Sequence, residues 1–184
     1  AKGAQPATHG WSRSISSTAG VTCAFALHVR VGPSPVLAFL AALVFLDSYK
    51  LVAMRTVVLV VLSGVVAAIA CYFANGWLLG RLGIGFAGYA RYVGPVVEEI
   101  AKGLVIVALI RAHRVGFLVD AAILGFAVGA GFAIVENLQY QRLVPDAGLA
   151  TWIVRGFGTA VMHGGVTATF AMMSLAMIER AGRA

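Results

Sequence analysis

Long apolar stretches, separated by short polar segments, set the pattern of this chain. Four of them could cross a hydrocarbon layer of about 30 Å as helices that rise about 1.5 Å per residue. They are residues 56–74, 86–110, 115–140 and 150–178. Residues 35–46 form a fifth, shorter candidate, and residues 15–29 form a weaker sixth. The pattern therefore predicts five or six membrane-spanning helices.

Composition agrees with a membrane location. Of the 184 residues, 60% are hydrophobic and only 11% are charged, and the mean hydropathy is +0.91. A soluble domain would be about one-quarter charged, so we expect the outer surface of this chain to face lipid. No stretch alternates as barrel strands do, and lipid does not tolerate open sheet edges. We expect an all-α, polytopic membrane helix bundle, with a polar tail over residues 1–14 and one transmembrane domain over residues 15–184.

The net charge of +7 does not indicate a nucleic-acid-binding protein, because the Lys and Arg residues occur singly between apolar stretches and form no basic block. Their distribution instead predicts orientation, since Lys and Arg are enriched in cytoplasmic loops. With six spans, an inner N-terminus, and Lys102 and Arg155 set aside as intrahelical, eight of the 14 residues fall on the inner side and four on the outer side. We therefore predict that the loops at 47–55 and 111–116 and the C-terminus lie in the cytoplasm.

The stretch "GPVVEEIAKG", residues 94–103, places Glu98, Glu99 and Lys102 inside one of the apolar segments. An ionisable group at mid-membrane costs at least about 2.5–3.5 kcal/mol, so it indicates a functional site. Lys102 is four residues from Glu98 and three from Glu99, and either pair can meet on a helix surface. One interpretation is therefore a structural Glu–Lys pair, which leaves the other glutamate unpaired. The alternative is that the carboxylates perform chemistry.

Further polar residues fall within the next two apolar segments: Glu136, Asn137, Arg155 and His163. With Glu98 and Glu99 they occupy the outer or middle part of three successive predicted helices. Three carboxylates and an imidazole that converge in a low-dielectric bundle favour water activation or metal binding. Asp120 does not fit this group, because it lies sixteen residues from Glu136, about 24 Å along one helix. We expect it to cap its helix or to pair with the basic loop beside it.

Small residues predict close helix packing on the Glu136 helix. Gly125 and Gly129 form a G-x-x-x-G pattern in "GFAVGAG", which in membranes lets two helix backbones approach closely. We expect this face to bring the Glu136 helix against a neighbour.

Three motifs on successive segments together resemble the PrsW-type intramembrane proteases. "VEEIAKG" is similar to the E-E-x-x-K motif of that family, "DAAILGFAVGAGFAIVENLQY" to its Asp-to-Tyr helix, and "RGFGTAVMH" to the helix that follows. Asp47, followed by "SYK", resembles the acidic early loop of the family. The resemblance runs from residue 35 to about residue 175. The family is a distant relative of the CAAX-protease and bacteriocin-processing membrane proteases.

The resemblance implies hydrolysis of a peptide bond in a membrane-anchored protein, such as an anti-sigma factor or a similar regulator. It assigns catalytic positions to Glu98, Glu99, Glu136 and His163. We expect Lys102, Asn137, Arg155 and Thr167 to support them. The partners implied are membrane lipid and a membrane-anchored protein substrate, in a bacterial cell membrane.

Two mechanisms remain open at this point. A desolvated glutamate can take a proton from water near neutral pH, with His163 or Asn137 donating to the developing oxyanion. Alternatively, Glu99, Glu136 and His163 are candidate ligands for Zn²⁺, which lowers the pKa of bound water to about 7. The family resemblance also implies later helices with a second His-containing motif. Because the sequence stops at "IERAGRA", we expect either a fragment or a shortened member.

Two other classes of function fit the same composition. The ionisable cluster could form an ion or proton path in a non-catalytic membrane binding or transport component. The chain could also be a purely structural membrane subunit. The same helix bundle would serve all three, so the fold alone does not distinguish them.

Overall fold

The computed structural model describes residues 34–46, 52–144 and 148–182. Within these ranges every regular element is helical, which confirms the all-α prediction. The elements are α1 (Ser34–Leu46), α2 (Met54–Leu82), α3 (Phe86–Gly88), the π-helical turn π1 (Tyr89–Val93), α4 (Gly94–Arg111), α5 (Leu118–Leu143), α6 (Leu149–Thr159), the π-helical turn π2 (Ala160–Gly165) and α7 (Val166–Ala181). The predicted tail at 1–14, the segment 15–29 and Asp47 lie outside the described residues.

Three helical runs are long and apolar enough to cross a membrane: Met54–Leu82, Leu118–Leu143 and Ala150–Ala181. They match three of the predicted spans, and the chain is an integral membrane protein. The run from Phe86 to Arg111 is also helical throughout, as predicted, but Glu98, Glu99 and Lys102 lower its apolar character. The segment Pro35–Phe45 forms a shorter apolar helix.

Helix α2 extends beyond the predicted end of its apolar stretch at Ala74. It continues to Leu82 and ends at Gly83, which has a left-handed φ of 63°. Glycine adopts that conformation without the steric cost that a Cβ imposes, and so commonly follows the last turn of a helix. The extension places Asn75 on a helix rather than in a loop.

Helix α5 lies at the centre of the bundle, between α2 and the run α6–π2–α7. Of its most apolar window, 72% is buried within the protein, against 33% for each of the other two spans. Its small residues permit this position: a Cβ on Gly125 would overlap the backbone of Ala168, and a Cβ on Gly129 that of His163. The predicted close packing of the Gly125–Gly129 face is therefore confirmed.

Asp120 caps the N-terminus of α5. Its Oδ2 atom accepts hydrogen bonds of 3.1 Å from the backbone N–H groups of Gly116 and Phe117. These donors precede the first turn and have no intrahelical partner. The first of the two roles expected for Asp120 is thus the one observed.

Candidate functional site

A cavity of about 850 Å³ opens between α2, α4, α5 and π2, and it is the place where the predicted site residues meet. Glu98, Glu99, Glu136 and His163 all line it. These residues come from three separate helical runs, and sequence spacing alone did not require them to share one cavity. Asp120 does not line it, in agreement with its position at the far end of α5.

Lys102 pairs with Glu99 rather than with Glu98. Its Nζ atom lies 2.6 Å from Oε1 of Glu99, and the lysine side chain is 1% exposed whereas that of Glu99 is 46% exposed. A buried ammonium needs such a partner, because desolvation of an unpaired charge costs several kcal/mol. The structural Glu–Lys pair is therefore formed by Glu99, and Glu98 is the glutamate left without Lys102 as a partner.

Lys102 also contacts His163, with 2.8 Å between Nζ and Nδ1. An ammonium group only donates hydrogen bonds, so Nδ1 must be the acceptor. The proton of the neutral ring is then on Nε2, which faces Oε2 of Glu136 and donates to it. The two contacts fix the tautomer of His163 and use both of its ring nitrogens.

The aromatic ring of Phe132 packs against these polar side chains. The Lys102 ammonium lies 4.7 Å from the centre of its ring, at the distance of a cation–π contact. The ring of His163 lies 5.4 Å from it at an interplanar angle of 32°. Phe132 is one helical turn before Glu136, so this wall of α5 presents an aromatic ring and a carboxylate on one face.

Arg155 holds the second oxygen of Glu136. Its terminal nitrogen lies 2.9 Å from Oε1 of Glu136, and its guanidinium carbon lies 3.8 Å from the centre of the Tyr140 ring. Tyr140 in turn packs edge-to-face on the buried Trp152. Glu136 is therefore bound on one oxygen by Arg155 and on the other by His163.

The π2 turn helps Arg155 and His163 to reach Glu136 together. In a regular α-helix, residues eight apart such as Arg155 and His163 differ by about 80° around the axis. A π turn has wider i→i+5 bonding, so it rotates less per residue and reduces this angle. The irregular segment begins at Ala160, between the two residues. The sequence gives no direct signal for such a turn.

Thr167 and Asn137 stabilise the backbone around the site. The Thr167 hydroxyl donates to the His163 carbonyl at 2.6 Å, where the π geometry departs from regular helical bonding. The Asn137 amide donates to the Thr159 hydroxyl at 3.0 Å, and that hydroxyl donates to the Arg155 carbonyl at 2.9 Å. Asn137 is buried and does not line the cavity, so the expectation that it could donate to an oxyanion there does not match its position.

Glu98 belongs to a separate set of contacts that the sequence analysis missed. The amide nitrogen of Asn75 on α2 lies 3.5 Å from Oε1 of Glu98. The hydroxyl of Tyr89 on π1 donates to the amide oxygen of Asn75 at 2.8 Å. Recognition of Gly83 as the helix end would have placed Asn75 on α2 and so among the intramembrane polar residues.

The carboxyl groups around the cavity differ in their partners. Among the described residues, Glu99 pairs with Lys102 and Glu136 pairs with Arg155, whereas Glu98 forms no ion pair. Glu98 is therefore the one carboxyl group of the three that has no cationic partner among the described residues. The two adjacent glutamates therefore occupy chemically different environments.

The expected zinc ligands do not converge in this arrangement. Within the described ranges, no three His, Cys, Asp or Glu side chains come together as a metal-binding group. The ammonium of Lys102 lies between Glu99 and His163, and both nitrogens of His163 already have partners. Glu99, Glu136 and His163 therefore do not fit a metal ion as they are placed here.

Comparison with known proteins identifies the family. The model of the PrsW family intramembrane metalloproteases matches residues 47–184, which is about three-quarters of the chain and includes every residue of the cavity. No curated protein and no solved structure matches the chain. The matched region contains the paired glutamates, the central α5 helix and the π2 histidine described above. The chain belongs to the PrsW family of intramembrane metalloproteases.

Proposed function

We propose that this protein hydrolyses a peptide bond in a membrane-anchored protein and that the cavity between α2, α4, α5 and π2 is where cleavage occurs. One observation carries the proposal: Glu98, Glu99, Glu136 and His163, from separate helical runs, line the same cavity of about 850 Å³. Membership of an intramembrane protease family supports the type of reaction.

Glu98 is the general base of the proposed reaction. It lines the cavity and forms no ion pair with the described residues, so no cation holds it permanently ionised. Its carboxylate removes a proton from water, and the resulting hydroxide forms a bond to the scissile carbonyl carbon. The tetrahedral intermediate then breaks its C–N bond, and the proton on Glu98 passes to the leaving amine. Proton transfer of this kind contributes about 10²–10⁴-fold to a rate.

The remaining site residues supply fixed charge and orientation. Lys102 and Arg155 place two cations behind the cavity wall, paired with Glu99 and Glu136. In a site with little water, such preorganised charges stabilise negative charge that develops on the substrate oxygen more strongly than they would in water. His163 links the two pairs through its ring nitrogens, so the five residues hold one another in place.

We assign the activation of water to Glu98 rather than to a metal ion. The family is described as a metalloprotease family, which makes a metal plausible. However, Lys102 already lies between two of the expected ligands, and Glu136 and Lys102 use both nitrogens of His163. A metal could bind to this set only after Lys102 or Glu136 had moved away from His163.

The substrate we propose is an apolar, membrane-anchored segment, as in an anti-sigma factor or a similar membrane-bound regulator. The cavity supports this choice because large apolar side chains surround its polar centre, among them Tyr72, Phe73, Trp77, Phe86 and Met162. Apolar walls with a few converging polar groups are typical of sites that orient a ligand.

The test uses purified protein in detergent micelles and a library of internally quenched peptides, each an apolar segment with polar ends. We expect cleavage by the wild type, loss of about 10²–10⁴-fold in kcat in Glu98→Gln, and a smaller loss in Glu99→Gln, which keeps an oxygen to accept from Lys102. Equal losses in both variants at normal protein levels would contradict the assignment of the base.

The main rival is a membrane binding or transport component with an ionisable path. It predicts no cleavage of any library peptide, together with proton or ion flux across vesicles that contain the wild-type protein. That result would overturn the proposed function.

A further inference from the structure

We infer that Asn75 and Tyr89 form a hydrogen-bonded arm that positions Glu98 for water activation. The inference rests on the proposed function and adds two positioning residues to it. In the arm, the Tyr89 hydroxyl donates to the Asn75 amide oxygen at 2.8 Å, and the Asn75 amide nitrogen lies 3.5 Å from Oε1 of Glu98. Asn75 contributes the sole hydrogen bond to the Glu98 side chain among the described residues.

The order of donors and acceptors along the arm follows from chemistry. An ionised carboxylate only accepts hydrogen bonds, so the amide nitrogen of Asn75 must face Glu98. The amide oxygen then faces Tyr89, whose hydroxyl donates to it. The side chain of Tyr89 is packed, with the residue 4% exposed, and its hydroxyl lies 2.8 Å from this oxygen. Tyr89 therefore fixes which way the Asn75 amide points.

The arm also suits a group that must gain and lose a proton. Asn75 and Tyr89 each offer both donors and acceptors, so a half-turn of the amide would let the arm accept from protonated Glu98. Lys102, the partner of Glu99, has no acceptor for the proton of a protonated carboxyl group. The two glutamates are thus matched to different partners: Glu99 to a fixed cation, and Glu98 to an adaptable neutral pair.

No other titratable neighbour of Glu98 orients its carboxylate by a hydrogen bond among the described residues. The titratable groups that interact electrostatically with Glu98 are Cys71 on α2, Tyr89 on π1, Glu136 on α5, His163 on π2, and Glu99 and Lys102 on its own helix. Of these, Lys102 bonds Glu99, and His163 lies between Lys102 and Glu136. Orientation of the Glu98 carboxylate therefore depends on α2 and π1.

The kinetic test compares variants of the arm on a library peptide that the wild type cleaves. Tyr89→Phe removes one oxygen and should lower kcat about tenfold, the upper end of the range for one hydrogen bond between neutral groups, with KM unchanged within twofold. Asn75→Leu should lower kcat at least as much. In the Asn75→Leu background, Tyr89→Phe should have no further effect, because Tyr89 acts through Asn75.

Asn75→Asp separates positioning from simple packing. The aspartate keeps an acceptor for the Tyr89 hydroxyl but has no donor for Glu98. If Asn75 served only to hold Tyr89, this variant would keep its activity, whereas we expect it to lose as much kcat as Asn75→Leu. Tyr92→Phe is the matched control, since Tyr92 is exposed on the same π1 turn and does not line the cavity.

A spectroscopic measurement tests the arm without any substrate. The infrared carboxylate band of Glu98 is identified as the band lost in Glu98→Gln. We expect it to shift in Tyr89→Phe and Asn75→Leu and to remain in place in Tyr92→Phe. An unchanged band and an unchanged kcat in Tyr89→Phe would overturn the inference that this arm positions Glu98, even if Asn75→Leu fails to fold. A wild type that cleaves no peptide would overturn the proposed function. The infrared result would still show whether Asn75 and Tyr89 orient the Glu98 carboxylate.

Discussion

Gly129 of α5 packs directly against the backbone of His163, so closely that a Cβ at this position would overlap the histidine carbonyl oxygen. The same packing brings Glu136, two helical turns further along α5, against the His163 ring. The helix-packing motif and the candidate site are therefore one structural unit, and a change in backbone separation changes the contact between an acid and an imidazole.

Gly129→Ala should damage both stability and cleavage. The added methyl group forces α5 and π2 apart, and overpacking of this kind costs about 1–3 kcal/mol. We expect a lower thermal unfolding midpoint in detergent and at least a tenfold loss of peptide cleavage. Gly158→Ala is the matched control, because a Cβ at Gly158 meets no atom within 4 Å. Equal effects of the two substitutions would argue against this packing.

In Lys102→Met, the tautomer of His163 should no longer be fixed. Without the ammonium donor, Nδ1 no longer has to accept, and Glu99 loses its counter-ion. Nitrogen-15 NMR of labelled histidine should then show a changed protonation pattern at His163, and cleavage should fall by at least tenfold. Arg81→Met, which removes a cation stacked on Trp77 at the end of α2, should change neither. A wild-type His163 that carries its proton on Nδ1 would contradict the assignment.

Asp120→Ala should lower stability without affecting chemistry. It removes the acceptor for the Gly116 and Phe117 N–H groups, and loss of a helix cap costs about 0.5–2 kcal/mol. Asp120→Asn keeps a carbonyl oxygen for these donors and should lose less. Unfolding measurements and cleavage rates on both variants check the expectation. A fall in kcat in Asp120→Asn as deep as that in Glu98→Gln would show that Asp120 takes part in the reaction.

Chelation should leave cleavage intact if Glu98 activates water as proposed. The reason is geometric, since Lys102 and Glu136 already engage both nitrogens of His163. The measurement is peptide cleavage before and after dialysis against EDTA, with the zinc content determined on the same samples. Activity that disappears on dialysis and returns with Zn²⁺ would show that Lys102 or Glu136 leaves His163 in the active state.

The sequence predicted the parts of the structure that depend on hydrophobicity and on local spacing. Apolar runs located the helices, and the Gly125–Gly129 pattern located the close packing face. The position of Asp120 indicated either a cap or a pair with the basic loop, and the cap is observed. These features follow from rules that act within one helix or along one helix face. The common location of Glu98, Glu136 and His163 was a hypothesis based on the cost of charge in lipid.

Other features depend on geometry that no local rule provides. Lys102 can reach either glutamate by spacing alone, and the position of His163 on a neighbouring helical run favours Glu99. Asn75 was missed because hydropathy falls after Ala74, although the helix continues for two more turns. The π turns were missed because a π turn arises from the packing of the whole bundle and has no reliable signature in a single sequence.

The π2 turn makes this site sensitive to chain length as well as to side-chain identity. Loss of Val161 or Met162 would leave every polar residue of the cavity in the sequence. It would nevertheless remove a residue that the wider π geometry accommodates, and so change both the angle around the helix axis and the distance along it between Arg155 and His163. Arg155 and His163 bind the two oxygens of Glu136, so this change would disturb the geometry at both oxygens. In the evolution of this protein, a one-residue deletion between Arg155 and His163 should therefore be tolerated less than substitutions at exposed apolar positions of the same helix, such as Val154 and Met173.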